Sequence, residues 1–477
     1  MGADARTADE VLAQLRAYRE HDAPTHGGRV LSYVYDSGRP ELDEVAAQAM
    51  RILQPVNGLD PTTFPSVALM ESDLVAFGRS MLHGPTATGS VTSGGTESCL
   101  LAVKAARDRW VSRGGRGRPR LVLSSSTHAA FHKAAHYFGL DVDVVPVELG
   151  TGRAAPGSLE AALGPQVALV VVSAPSYPHG VVDAVAEVAG AAADLGIPCH
   201  VDACVGGWVL PWWEQAGGVP LPQWDFRVAG VTSISADIHK YGYVPKGASL
   251  VLFADGELDL ARYFATTGWL GYPVVNPTML GTRSATSLAA AWAVVQTLGP
   301  SGYAGLTRRV VDATSAVVAT VEGIEGLRVL GARQGPLVAV ATDEDVDPQQ
   351  RVDPLLWVAA VAERGFVLQG QPALEQGDGS VVPHTAHLTI TPVTQGLVDE
   401  LGAALVEGAE AVRGHAVPSP EALSADGIPD PAALADAARD GGDLDLTGVL
   451  TLIEALPREA SAQLLSAFLQ RFTAPRG

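Results

Sequence analysis

The sequence predicts an α/β protein, with a large, mostly parallel sheet flanked by helices and a smaller α/β unit behind it. Three observations predict this. Short β-branched runs alternate with helical segments between about residues 66 and 260, the pattern of strands buried on both faces of a parallel sheet. Polar motifs fall at the ends of those runs, where the catalytic loops of such sheets gather. The chain has 477 residues, 47% apolar and 18% charged, enough for a folded core.

Each element has its own justification. Residues 1–65 read as an N-terminal arm, a helical start followed by a Gly/Pro-rich stretch from Gly27 to Pro65. In a large domain at 66–285, the runs Arg120–Ser124, Val142–Val147, Val167–Ser173, Cys199–Asp202 and Ser249–Phe253 have the length and β-branching of buried strands. Between them, Thr96–Arg113, Ala129–Phe138 and Val182–Leu195 carry helical periodicity. A smaller domain at 286–412 opens with the helix Ser287–Leu298. Its strands, in Leu327–Ala341 and His387–Thr391, surround the helix Pro354–Arg364. The last segment, 413–477, holds a Pro-rich linker (Val417–Pro431) and an amphipathic helix over Leu446–Phe472, a tail of unknown role.

Composition excludes some classes of function. A net charge of −20 argues against nucleic acid and against anionic membranes. No apolar run reaches membrane-spanning length, so no membrane insertion is expected. Three cysteines, an odd count in a large chain, fit free thiols in a reducing cytoplasm.

Only four of the 32 basic residues are lysine, and two of these, Lys240 and Lys246, fall within Ser235–Lys246, SADIHKYGYVPK. Arginine stays charged, whereas lysine can shed its proton and act as a nucleophile. Thr92–Ser98, TSGGTES, precedes a strong helix pattern. Glycines and a helix start suit a phosphate cradle, although the same pattern also serves as a plain turn. Asp202 ends an apolar strand in His200–Cys204, HVDAC. A carboxylate there can pair with a protonated ring nitrogen or simply cap a turn. His128, His132 and His136 recur at helical spacing. Two of them could share a metal, but no companion carboxylate or cysteine has ligand spacing, so no metal site is expected. His128, at the helix start, suits stacking on a flat ring. A phosphate cradle, a stacking histidine, a strand-end aspartate and a nucleophilic lysine form the working set of a pyridoxal 5′-phosphate enzyme.

On these residues the chain resembles the sphingosine-1-phosphate lyase branch of the fold-type I pyridoxal-phosphate-dependent decarboxylases. The shared stretches are VTSGGTES, STHAAFHKAAHYFG, PHGVVDAVAEVA, IPCHVDACVGGW and VTSISADIHKYGYVPKGASLVLF, within a likeness running from about Gly27 to about Glu410. The resemblance implies the Schiff-base lysine at Lys240, the ring-nitrogen partner at Asp202 and the stacking residue at His128. It implies phosphate contacts at Gly95, Thr96, Ser235 and His239, with Thr282 reaching the cofactor phosphate of a partner chain in a homodimer with shared active sites. Tyr35 and Lys246 match positions facing the substrate and its phosphate, the base being Tyr35 across the dimer or an amine such as Lys246. The implied activity is retro-aldol cleavage of a phosphorylated amino alcohol, with amino-acid decarboxylation as the alternative and aminotransfer third. No clear carboxylate-clamping arginine stands out, Arg283 being a candidate. One residue departs from the pattern: Asp60 stands where these lyases carry a histidine near the substrate phosphate, and a carboxylate there would repel it.

Overall fold

The computed structural model describes residues 5–417, 430–439 and 446–475. Helix α1 (Ala8–Tyr18) begins at a capping box between Thr7 and Glu10 and buries none of its residues. Helix α2 (Pro40–Leu53) lies inside the stretch expected to be Gly/Pro-rich coil. Pro40 opens it, where a missing N–H costs nothing, and Leu42 and Ala46 are buried. Pro65 starts α3 (Pro65–Met81) in the same way.

The large sheet then builds in chain order. It runs through β1 (Thr88–Thr92), α4 (Gly95–Ser112), β2 (Arg120–Ser124), α5 (Ala130–Phe138) and β3 (Asp141–Val145). It continues with α6 (Ser158–Ala161), β4 (Val167–Ser173), α7 (Val185–Asp194), β5 (Cys199–Asp202), β6 (Val231–Ala236), β7 (Ser249–Phe253) and α8 (Gly256–Ala261). Strand order is β1-β7-β6-β5-β4-β2-β3. The pairs among β3, β2, β4, β5 and β6 are parallel. β7 alone is reversed, antiparallel to both β1 and β6. Register aligns Ser173, Asp202 and Ser235, so three strands end at one level. The absence of a strand expectation at β6 has a physical reason. Its VTSISA run is rich in hydroxyls that look unlike a buried strand, yet His200 accepts or donates bonds to both Ser233 (2.8 Å) and Ser235 (3.2 Å).

A hairpin, β8 (Phe264–Thr266) and β9 (Val274–Asn276), leads to α9 (Ala285–Glu322), which breaks at Gly299 just before Pro300. Beyond it lie β10 (Leu327–Leu330), β11 (Leu337–Thr342), α10 (Pro354–Ala362), β12 (Gln369–Gln371), β13 (Leu374–Glu375), β14 (Val381–Val382), β15 (Thr385–Thr389) and α11 (Val398–Val412). The second sheet has the order β10-β11-β15-β12, all antiparallel. In the tail, the helix expected over Leu446–Phe472 is two, Leu446–Ala455 and Arg458–Phe472, because Pro457 falls between them. A further helix, Pro431–Arg439, precedes them. Most of the expected linker, residues 418–429, lies outside the described residues.

Candidate active site

At the carboxyl edge of the large sheet, β4, β5 and β6 end beside the turn that joins β1 to α4. They enclose a cavity of about 360 Å³. Gly95, Thr96, His128, Asp202, His239 and Lys240 all line it. Residues 95 to 240 are thus brought together because parallel strands deliver their loops to the same side.

The lysine sits on a tight connection between β6 and β7. Ile238 is fully buried and anchors the turn, and the His239 N–H donates to the Ala248 carbonyl at 3.0 Å. Lys240 Nζ lies 3.0 Å from Asp237 Oδ2. Burial disfavours its charge, but Asp237, with Tyr35 and Cys204, holds Lys240 well above the ordinary lysine range. Asp202 receives the Cys204 N–H at 3.0 Å and the Ser235 hydroxyl at 3.3 Å on one oxygen. His128 Nδ1 accepts the Ala130 N–H at 3.1 Å, which leaves Nε2 to carry the proton at the cavity wall. His239 is pushed down to about 4, chiefly by burial.

Helix α4 starts without a side-chain cap, so the N–H groups of its first turn have no intrahelical acceptor. Gly95 is needed there for space. A Cβ would stand 2.7 Å from both carboxylate oxygens of Asp237 and 2.9 Å from Cys204 Sγ. An uncapped helix start, a buried carboxylate, an imidazole wall and a single amine fit a phosphorylated pyridine aldehyde. Lys240 would hold its carbonyl carbon, Asp202 its ring nitrogen, and Gly95 and Thr96 its phosphate.

One expectation is corrected, at Ser235, and three further residues are located. Ser235 points to Asp202 and His200 and does not line the cavity, because its hydroxyl is drawn to the neighbouring strand. Thr282 is exposed and absent from the cavity of its own chain. Arg283 is no free clamp: it makes a bidentate pair with Glu71 at 2.8 and 2.9 Å and donates to the Val91 carbonyl at 3.0 Å. Asp60 turns its oxygens onto Thr62 and Thr63, which pulls its pKa down to about 2, and it lines a separate cavity. It therefore stands away from the lysine of its own chain.

Tyr35 and Lys246 lie with the Lys240 of the same chain. Lys246 Nζ sits 4.6 Å above the Tyr35 ring, and Tyr35 packs edge-on against Tyr241 at 5.2 Å. The proximity of Tyr35 to Lys240 is felt electrostatically by both groups. Partial burial and the Lys240 charge lower Lys246 to about 8. Burial lowers His132 as well, and His136 packs on Tyr137.

Sequence reasoning missed Asp237, although an acid three residues before the lysine was a usable signal. It also missed Glu97, which accepts the N–H groups of Ser93 (2.6 Å) and Met279 (2.7 Å) and so ties the cradle to the 277–284 loop. Tyr177 lines the cavity, stacks on His387 at 4.3 Å and donates to Gln369 at 2.5 Å. Its partners come from the second sheet, so no local signal announced it. Cys99, Asp202 and Cys204 bring three donor atoms within 4.8 Å of one another. Burial raises the Cys99 thiol, and a hydrogen bond with Cys99 together with burial raises Cys204. Both thiols are thereby held toward their neutral form.

Comparison with known proteins adds a family. Residues 47–340 match the pyridoxal-dependent decarboxylase conserved domain. Sphingosine-1-phosphate lyase 1 of Rattus norvegicus is 38% identical over 336 residues, covering 70% of this chain and 59% of that protein. The chain thus spans under two thirds of that relative's length. Sphingosine-1-phosphate lyase of Arabidopsis thaliana is 33% identical over 417 residues, covering 86% and 73%. Among solved structures, a Burkholderia pseudomallei sphingosine-1-phosphate lyase superposes with a TM-score of 0.79 at 32% identity, covering 86% of this chain and 92% of that one. A Lactobacillus brevis glutamate decarboxylase, with a TM-score of 0.74 at 19% identity, shares the fold.

Proposed function

We propose, from the premise that this chain belongs to the pyridoxal-dependent decarboxylase family, that it is a carbon–carbon lyase cleaving a phosphorylated amino alcohol to an aldehyde and an aminoalkyl phosphate. The observation that carries this reading is the meeting of Lys240, Asp202, His128 and the Gly95 helix start around one cavity. It is supported by the identity to relatives named as sphingosine-1-phosphate lyases.

When bound, pyridoxal 5′-phosphate supplies an electron sink for the pair released as the carbon–carbon bond breaks. The residues prepare that step. Lys240 would hold the cofactor through its amine. Asp202 would offer a carboxylate to the cofactor's ring nitrogen, and His128 would wall the same cavity. Lys246, lowered to about 8, can exist as amine or ammonium near neutral pH. It serves either as a base for the substrate hydroxyl or as a cation for its phosphate, with Tyr35 beneath it.

Amino-acid decarboxylation is the alternative. A carboxylate at Asp60 suits an unphosphorylated substrate, but it is engaged by its own turn and lies outside the Lys240 cavity of its own chain. Incubating the enzyme with phosphorylated and unphosphorylated amines, and identifying products by mass, decides the matter. Aldehyde from the phosphorylated amine supports the lyase, and carbon dioxide from an amino acid overturns it.

Two further parts of the reading concern setting. No helix among the described residues is long and apolar enough to cross a membrane. Three free, buried cysteines support a cytoplasmic location. The hairpin around β8 and β9 exposes Phe264, Trp269, Leu270, Tyr272 and Val275, a contiguous apolar feature that supports a homodimer.

A further inference from the structure

Asp237 is a buried carboxylate with a narrow set of neighbours. One oxygen lies 3.0 Å from Lys240 Nζ and 3.5 Å from His239 Nε2. The other makes no hydrogen bond among the described residues. The space beside both oxygens is kept open by Gly95, where a Cβ would intrude to 2.7 Å. Such a carboxylate is costly to bury unless a cation compensates it. The other ionisable groups that face the pair are poor candidates. His239 is lowered to about 4 and is neutral, and Tyr35 and Cys204 are both raised and keep their protons. Lys246 is the remaining cation, but its ammonium lies over the Tyr35 ring. Lys240 is thus the compensating charge.

We propose that Asp237 is a positioning residue whose carboxylate seats the Lys240 ammonium whenever that lysine is not joined to the cofactor. This deepens the reading of Lys240 as the cofactor lysine and rests on it. A substrate amine arriving as an ammonium must lose a proton to attack a carbonyl carbon, and the lysine it displaces must gain one. Charge balances across that exchange: one ammonium is consumed and one is formed. Asp237 is already in place for the ammonium that is formed, so the freed lysine is caught 3.0 Å away and remains poised for return.

The test reads lysine protonation in the cofactor-free chain, independently of turnover. Cofactor is removed, and the protein is pulse-labelled with an amine-acylating reagent at a series of pH values. Labelling of each lysine is followed by peptide mass, with the exposed Lys133 as internal standard. In the wild type, the Lys240 labelling midpoint should lie above that of Lys133. In Asp237→Asn the ammonium loses its partner but stays partly buried, so the midpoint should fall by at least about one pH unit, a tenfold gain in labelling at fixed pH. Asp237→Glu, which keeps a carboxylate, should retain the high midpoint. If Asp237→Asn does not fold, the wild-type profile alone decides: a Lys240 midpoint at or below that of Lys133 overturns the proposal. An unchanged midpoint in a folded Asp237→Asn chain overturns it too. A cofactor adduct found on another lysine would instead overturn the assignment of Lys240, while leaving the measured ion pair intact.

Discussion

Lys240 is held as a cation, because the Asp237 carboxylate 3.0 Å away outweighs the pull of burial. The cofactor should nonetheless attach there. Borohydride reduction and peptide mapping should place the pyridoxyl adduct on Lys240, and an adduct on Lys104, Lys133 or Lys246 would refute this. Asp202→Asn should keep the cofactor and lose at least about 100-fold in turnover, since an amide cannot stabilise a protonated ring nitrogen. Lys246 gives a pH signature. Its pKa near 8 means that its cation is present below that value and fades above it. KM for a phosphorylated substrate should therefore rise as pH passes through about 8, and Lys246→Arg, which stays charged, should flatten the rise. The residues legible in the sequence (Lys240, Asp202, His128, Gly95 and Thr96) announce themselves through local motifs at strand ends. Ser235 misled because register, which no single sequence prints, turns its hydroxyl toward His200 and Asp202.

At the scale of elements, β2, β4, β5 and β7 were legible to the residue because each is a continuous apolar run between clear breaks. Among the hidden ones were β1 and β6, short and rich in Ser and Thr, and α2, which opens on Pro40 and lies between Gly38 and Pro55. The tail was visible as helix and as an element that docks or associates, but not where it docks, since its partners are distant. Glu454 of the Leu446–Ala455 helix accepts His384 Nε2 at 2.8 Å, and Asp353 lies 3.7 Å from the other ring nitrogen. Burial opposes the imidazolium, but the carboxylates of Asp353 and Glu454 outweigh it and raise His384 to about 9. A pKa raised in the folded state means that this attachment is complete below about 6.5 and is lost as pH climbs through about 9. Limited proteolysis should therefore release the tail faster at about pH 10 than at about pH 7, and Glu454→Gln should remove most of that difference. A pH-independent release rate in the wild type would contradict the attachment.

The whole molecule is acidic, with a net charge of −20, and the β8–β9 hairpin presents an apolar tip, with Trp269 half-exposed and Leu270 fully exposed. Sedimentation should find a dimer, and Leu270→Asp should weaken it; a wild-type monomer with full activity would refute the shared-site arrangement. Because Tyr35 lies with the Lys240 of its own chain, mixing Lys240→Ala chains with Tyr35→Phe chains should restore no activity. Each hybrid site would still lack one of the two, so restored turnover would mean that Tyr35 serves the neighbouring chain. The reversal of β7 has a wider consequence. It makes the segment from Asp237 to Ala248 a hairpin connection instead of a crossover, pinned at its base by the His239–Ala248 hydrogen bonds. Lys240 and Lys246 therefore ride on one stiff loop and cannot separate as other parts of the protein move. If the proposed reading holds, the loop would work as a caliper, setting the distance between the amine of a substrate and its anionic group while remaining blind to the hydrocarbon beyond. Lengthening the hydrocarbon chain should leave the rate nearly unchanged, whereas inserting one methylene between amine and phosphate should abolish it.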